Sequence, residues 1–274
     1  METARTTSKW WGEFEVPHGQ ARTWHIGPLL LRVSRLAHEW RVSRQRAPIA
    51  DHDAAPFSGH IAFEVGVLGK DTPLEESAEV SRYATSGSAE TLRVSPTLPD
   101  RAVIFRPEPP IRVLPNQNVT LYVASPLWLR LEEAPHTFLD ELPAVPPNQT
   151  WWGPSTMEGE PCYAARTHGR FRLEDTEVYQ HRILTSVDVQ NAADEALLLQ
   201  RLNVPVRTLS VYATPNGRLW TESVKFQRSS RDAFAELHVG AAPPPAAEGA
   251  QKLCGPRDAG SQHTLFRAFG SLFK

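Results

Sequence analysis

Residues 92–131 read LRVSPTLPDRAVIFRPEPPIRVLPNQNVTLYVASPLWLRL. Five apolar runs of three to five residues lie in this stretch: Leu92–Val94, Ala102–Phe105, Ile111–Leu114, Val119–Val123 and Leu127–Leu131. Proline-bearing turns divide them at Ser95-Pro96, Arg106-Pro107, Leu114-Pro115-Asn116 and Ser125-Pro126. Runs this short cannot be helices of ordinary length, and prolines at this density would break any longer helix. The spacing predicts an all-β fold with an antiparallel sandwich or jelly-roll body.

The same pattern extends in both directions. Upstream, Phe14–Val16, Thr23–Ile26, Leu29–Val33 and Trp40–Ser43 are β-like runs separated by Pro17-His18-Gly19, Gly27-Pro28 and Ala37-His38. Residues 45–60 and the acidic, Ser-rich stretch 71–90 read as loops. Downstream, Ser186–Val189 and Ala196–Leu199 flank an Asn/Asp turn and predict one hairpin. Asn216-Gly217 between Leu209–Ala213 and Leu219–Lys225 predicts another, with the strongest short-range hairpin signal. A Pro-rich connector, residues 133–150, divides the β blocks. It suggests an N-terminal sandwich over 1–132 and a C-terminal one over 150–240, with one continuous domain as the alternative.

Composition bounds the function. The chain has 274 residues, enough for a sizeable core. Its 29 Lys+Arg against 31 Asp+Glu give a net charge of -2, which argues against a nucleic-acid partner. The two cysteines, Cys162 and Cys254, lie far apart and predict no structural disulfide, in keeping with a cytoplasmic protein. METARTTSKWWGEFEV carries no apolar core of a secretory signal, and no stretch approaches the ~20 apolar residues of a membrane span.

Motifs that carry chemistry are sparse. There is no Walker A loop, no GxGxxG, no HExxH and no GxSxG. Asp51-His52-Asp53 with His60 has metal-ligand residue types but no paired spacing, so neither a metal nor a cofactor is expected. Cys162 and His168 invite a nucleophile–base reading, yet Pro161-Cys162-Tyr163-Ala164 looks like a buried strand with a small core thiol. No catalytic residue is assigned. The pairs Trp10-Trp11 and Trp151-Trp152 admit two readings. They are core residues, or one ring of each pair faces solvent and stacks on a ligand such as a sugar. Trp151, Trp152, Glu160 and Tyr163 are therefore candidate ligand-binding residues.

The end of the chain is unusual. Residues 241–260, AAPPPAAEGAQKLCGPRDAG, read as a flexible linker. Residues 261–274, SQHTLFRAFGSLFK, then concentrate Leu265, Phe266, Phe269, Leu272 and Phe273. In a helix, Leu265, Phe269 and Leu272 fall at i, i+4 and i+7. Full burial of five such side chains yields roughly 7–15 kcal/mol gross, and ordering the peptide costs a comparable amount. The expectation is a short amphipathic helix that docks in a groove on a partner protein, on this protein's own body, or on a membrane surface.

Trp24-His25-Ile26-Gly27-Pro28-Leu29, Glu39-Trp40, Pro126-Leu127-Trp128, Trp152-Gly153-Pro154-Ser155-Thr156 with Glu160, and Leu219-Trp220-Thr221-Glu222 together resemble the prokaryotic family 432 of domains of unknown function. The similarity covers most of residues 10–240. It implies an intracellular protein associated with mechanosensitive-type membrane channels as partners, and it carries no assigned activity. Two functions follow as expectations. One is a non-enzymatic adaptor, peripheral to a membrane complex, that binds its partner through the tail. The other is a ligand- or carbohydrate-binding module, or an enzyme, using the Trp151–His168 segment.

Overall fold

The computed structural model describes residues 9–47, 67–70, 78–153, 157–176, 179, 181–229, 234–258 and 263–270. Asp51–Asp53 and His60 lie outside them, as do Leu272 and Phe273. The described chain is strand with three short 3-10 turns, and no helix in it is long and apolar enough to cross a membrane.

Contacts divide the chain into two interleaved units, 1–97 with 128–145 and 98–127 with 146–274. The first opens with β1 (Gly12–Glu15), β2 (Gln20–Ile26), β3 (Leu29–Leu36), β4 (Glu39–Arg46), β5 (Val67–Lys70), β6 (Glu79–Ala84) and β7 (Thr91–Thr97). The second takes up β8 (Val103–Pro107), β9 (Ile111–Val113) and β10 (Gln117–Pro126). The first resumes with β11 (Trp128–Glu133) and β12 (Thr137–Pro143). The remainder belongs to the second: β13 (Asn148–Trp152), β14 (Glu160–Thr167), β15 (Arg182–Asn191), β16 (Leu197–Leu199), β17 (Arg201–Val204), β18 (Val211–Ala213), β19 (Leu219–Trp220), β20 (Val224–Arg228), β21 (Phe234–Val239), β22 (Gln251–Cys254), β23 (His263–Arg267) and β24 (Phe269–Gly270).

The first unit is a sandwich of two antiparallel sheets, β1-β7-β11-β12 and β5-β2-β3-β4-β6. Its sequence signals act locally. Gly27 takes φ 57° between Ile26 and Leu29, as the first position of a type II′ turn requires, so β2 and β3 fold back in register. Alternation then buries Trp24, Ile26, Leu29, Leu31, Val33, Trp40 and Val42 on one side. Phe14 of one sheet meets Trp24 of the other edge-on at 5.3 Å. At the margin Arg44 joins Glu79 and Asp140 at 2.7 and 3.2 Å.

The second unit packs the sheet β22-β18-β19-β15-β20-β21-β23, with β10 also on β15, against the sheet β13-β14-β8-β17-β24. Most pairs are antiparallel, but β14 runs parallel to β8, and β15 runs parallel to β19 and β20. The hairpin expected across 186–199 does not form. β15 pairs with β10, and β16 pairs with β9. The buried amide of Asn191 explains the departure: its Nδ2 donates to the carbonyls of Val113, Leu114 and Glu195, which turns the chain off the β15 edge toward β9. The Asn216-Gly217 turn does link β18 and β19, with Gly217 at φ 82°.

Two expectations about the chain's end are corrected. Residues 241–258 are not a structureless linker. β22 adds antiparallel to β18, Asp258 accepts two bonds from Arg207 at 2.6 and 2.9 Å, and the Arg257 guanidinium donates to the carbonyls of Leu98 and Pro99. Nor do the described tail residues, 263–270, form a helix. β23, with Leu265 and Phe266 in its backbone ladder, extends the first sheet at β21, and β24 then extends the second at β17. Strand pairing satisfies backbone groups that an isolated turn or two of helix, weakened by Gly270, would hold only marginally. Phe269 is 3% exposed and packs edge-on against Phe226 at 6.1 Å, between the two sheets.

Candidate functional site

The densest set of unusual side chains sits on the face of β13-β14-β8-β17 opposite to the one packed in the sandwich. Register places Thr150 against Cys162, Ala164 beside Ile104, and Ile104 against Asn203. Since alternate residues share a face, Trp152, Arg106 and Arg201 belong to this set. Val103, Phe105 and Leu202 project the other way, toward Phe269 and the core.

The hairpin joining β13 to β14 is shaped by two glycines. A Cβ on Gly159 would lie 2.6 Å from the Trp152 carbonyl oxygen, and one on Gly153 would lie 2.3 Å from the Gly159 Cα. Only glycine allows this close passage, and it brings Trp152 over Ile104 and Cys162 in one apolar cluster.

The Arg201 guanidinium then crosses the sheet. It stands 5.0 Å from the Trp152 ring centroid and donates through Nη2 to the Trp151 carbonyl at 2.6 Å. Arg201 is on the fourth strand and Trp151 on the first, a span no arginine covers on a flat sheet. The sheet is therefore curled, with this face concave. Arg106 is the neighbour of Arg201 by register and donates to Thr150 Oγ1 at 3.0 Å. Burial first, and the charge of Arg106 second, press the Arg201 guanidinium below its ordinary value. Among the described residues no carboxylate forms an ion pair with Arg106 or Arg201.

Four buried polar atoms on this face have no hydrogen-bond partner: Nε of Arg106, Nε of Arg201, and both amide atoms of Asn203. Asn203 is 1% exposed. Leaving such a group unsatisfied costs roughly 1–3 kcal/mol, so the fold carries the face at an energetic loss. The thiol is not a nucleophile in this setting. Burial pushes Cys162 up to about 11, against the opposing pull of Arg201 and with Glu160 adding to the rise. His168 lies six residues on, just past the end of β14 and about 20 Å away at the rise of a strand, and its Nδ1 lies 3.3 Å from the Glu108 carbonyl.

The sequence-derived candidates are thus divided. Trp152 lies on the concave face, and Glu160 borders it, exposed, close enough to act on Cys162. Trp151 is 37% exposed, gives its carbonyl to Arg201, and lays its indole edge against Gly159. Tyr163 faces the other side, donates to Asp100 Oδ1 at 2.8 Å, and is held up at about 12 chiefly by burial. Of the tail residues, Phe269 is interior, and only the backbone of Leu265 and Phe266 is placed. Arg106, Arg201 and Asn203 escaped sequence reasoning. Asn203 in the run Leu202–Val204 was the available signal, a polar residue inside a short apolar strand. Among the described residues no three His, Cys, Asp or Glu side chains gather as metal ligands.

Comparison with curated proteins and with solved structures finds no match. The family described as "Protein of unknown function (DUF432)" matches residues 10–274, and the chain belongs to that family.

Proposed function

We propose that this protein is a non-enzymatic binding module of a prokaryotic cytoplasm, which holds a small ligand on the concave face of β13-β14-β8-β17. One observation carries the reading: Arg201 lies over Trp152 beside a second cation, Arg106, with no carboxylate ion-paired to either among the described residues. A stacked guanidinium on a curled sheet is a recognition device. Cys162, the nearest nucleophile by residue type, is held protonated, which favours binding over covalent chemistry. Neither Cys162 nor Cys254 is in a disulfide among the described residues, which suits a reducing compartment. The test is a screen of soluble metabolites against the full chain by thermal shift and calorimetry. A ligand whose affinity drops with Trp152→Ala supports the reading; no binding from any metabolite class removes it.

A second reading keeps the adaptor role but moves its docking surface from the tail to the β13–β14 hairpin. Among the described residues β13 is the terminal strand of its sheet, and its hairpin presents Met157, 93% exposed, and Trp151, 37% exposed. A terminal strand with apolar side chains at its tip suits addition of a partner's strand. The partner is a protein, with the channels implied by the family resemblance as first candidates. Pull-down with Met157→Glu tests it, and undiminished recovery of the partner counts against it.

A further inference from the structure

We infer that the ligand of the concave face is a phosphate-class oxyanion, held between the guanidinium groups of Arg106 and Arg201 with the Asn203 amide as a third contact. The inference rests on the binding-module reading above and names its ligand class.

Three observations converge. The first is charge. Three arginines share the face; Arg166, in register with Arg106, is ion-paired with Glu108 at 3.7 Å, which leaves Arg106 and Arg201 to match the roughly -1.5 to -2 charge of a phosphate monoester at neutral pH. A single carboxylate would leave one cation uncompensated. The second is donor geometry. Each arginine has spent one Nη2 on a protein acceptor, to Thr150 and to Trp151. Both Nε atoms are left without a partner. Planar guanidinium forks suit the oxygens of a phosphate, and two forks can divide its oxygens between them. The third is Asn203. It is almost wholly buried, neither amide atom has a partner, and it lies two residues along β17 from Arg201 on the same face. Its Nδ2 supplies a neutral donor, while its Oδ1 accepts from a hydroxyl of a protonated phosphate or of the organic group that bears it.

A purely structural role for the arginines predicts a different outcome. A structural arginine is lost at the expense of stability, whether or not an anion is present. Here the charge of Arg106 bears on Arg201, so removing Arg106 leaves the free protein nearly as stable and weakens the response to the anion.

The experiment uses the full chain, with inorganic phosphate as the probe. The melting temperature is measured in rising phosphate against sodium chloride at matched ionic strength, and the dissociation constant by calorimetry. The expected result is a concentration-dependent rise with phosphate that chloride does not reproduce. Arg106→Gln should weaken phosphate at least tenfold while shifting the free protein's melting temperature little; Asn203→Leu should weaken it severalfold and stabilise the free protein. A sedimentation arm with phosphatidylcholine vesicles containing phosphatidylglycerol separates a free phosphate from a lipid headgroup. Co-sedimentation lost in Arg106→Gln keeps the oxyanion and assigns it to lipid. Equal effects of phosphate and chloride, or an unchanged phosphate affinity in Arg106→Gln, overturn the inference. If a neutral metabolite binds wild type and Arg106→Gln alike, the oxyanion class fails and the binding module stands. If no metabolite binds at all, both fail.

Discussion

Phe269→Ala tests the clasp at the end of the chain. The side chain is 3% exposed, sits on β24 against Leu202 of β17, and meets Phe226 of the facing sheet edge-on at 6.1 Å. Truncating a buried phenylalanine costs about 3–5 kcal/mol through lost transfer free energy and the cavity left behind. β24 is only two residues long and terminal, so its surroundings can partly collapse, and the lower end, about 3 kcal/mol, is expected. For a unit of this size that corresponds to a melting shift of roughly 6–12 °C. The measurement is thermal and urea denaturation of the full chain, with amide exchange at β17 and β21 reporting on the second unit. Exchange should accelerate at both strands, because the tail pairs with one in each sheet. A variant that melts within about 1 kcal/mol of wild type but loses a binding partner would refute this reasoning. It would return the tail to the role of a free docking peptide.

Other outcomes follow from single side chains. Burial, and secondarily the charge of Arg182, lower His181 to about 3, so it is neutral in the folded protein at ordinary pH. Above pH 6.5 both states are neutral; between 6.5 and 3 the unfolded chain binds the proton that the folded one refuses. Stability should therefore fall with pH in that window, by up to about 1.4 kcal/mol per pH unit, and His181→Gln should flatten the dependence in denaturant titrations. The Glu222 carboxylate accepts from the Ser210 N–H at 2.7 Å and from the Tyr212 hydroxyl at 3.1 Å. Glu222→Gln keeps a single acceptor oxygen and should destabilise by about 1–2 kcal/mol in urea; no change would assign the Trp220–Glu222 segment another purpose. Iodoacetamide at pH 8 should alkylate Cys254 in the native protein and Cys162 only after denaturation; peptide mass spectrometry resolves the two, and prompt native labelling of Cys162 would contradict its burial.

The sequence alone determined the all-β class, because short apolar runs punctuated by proline leave no room for helices. It also determined the turns whose chemistry is local, Gly27-Pro28 and Asn216-Gly217, and the family, whose residues are read directly. The tertiary structure decided the rest, because strand partners are not neighbours in sequence. The spacing of Leu265, Phe269 and Leu272 fits a helix stripe, but Phe269 pairs with Leu202 and the β23 ladder forms on β21. The Pro/Ala/Gly stretch held no visible core, but β18 supplied an edge on which Gln251–Cys254 could pair. The candidate site draws Arg106, Thr150, Cys162 and Arg201 from four strands spread over almost a hundred residues. Nothing in a one-dimensional pattern places two arginines side by side; the pairing of β17 with β8 does.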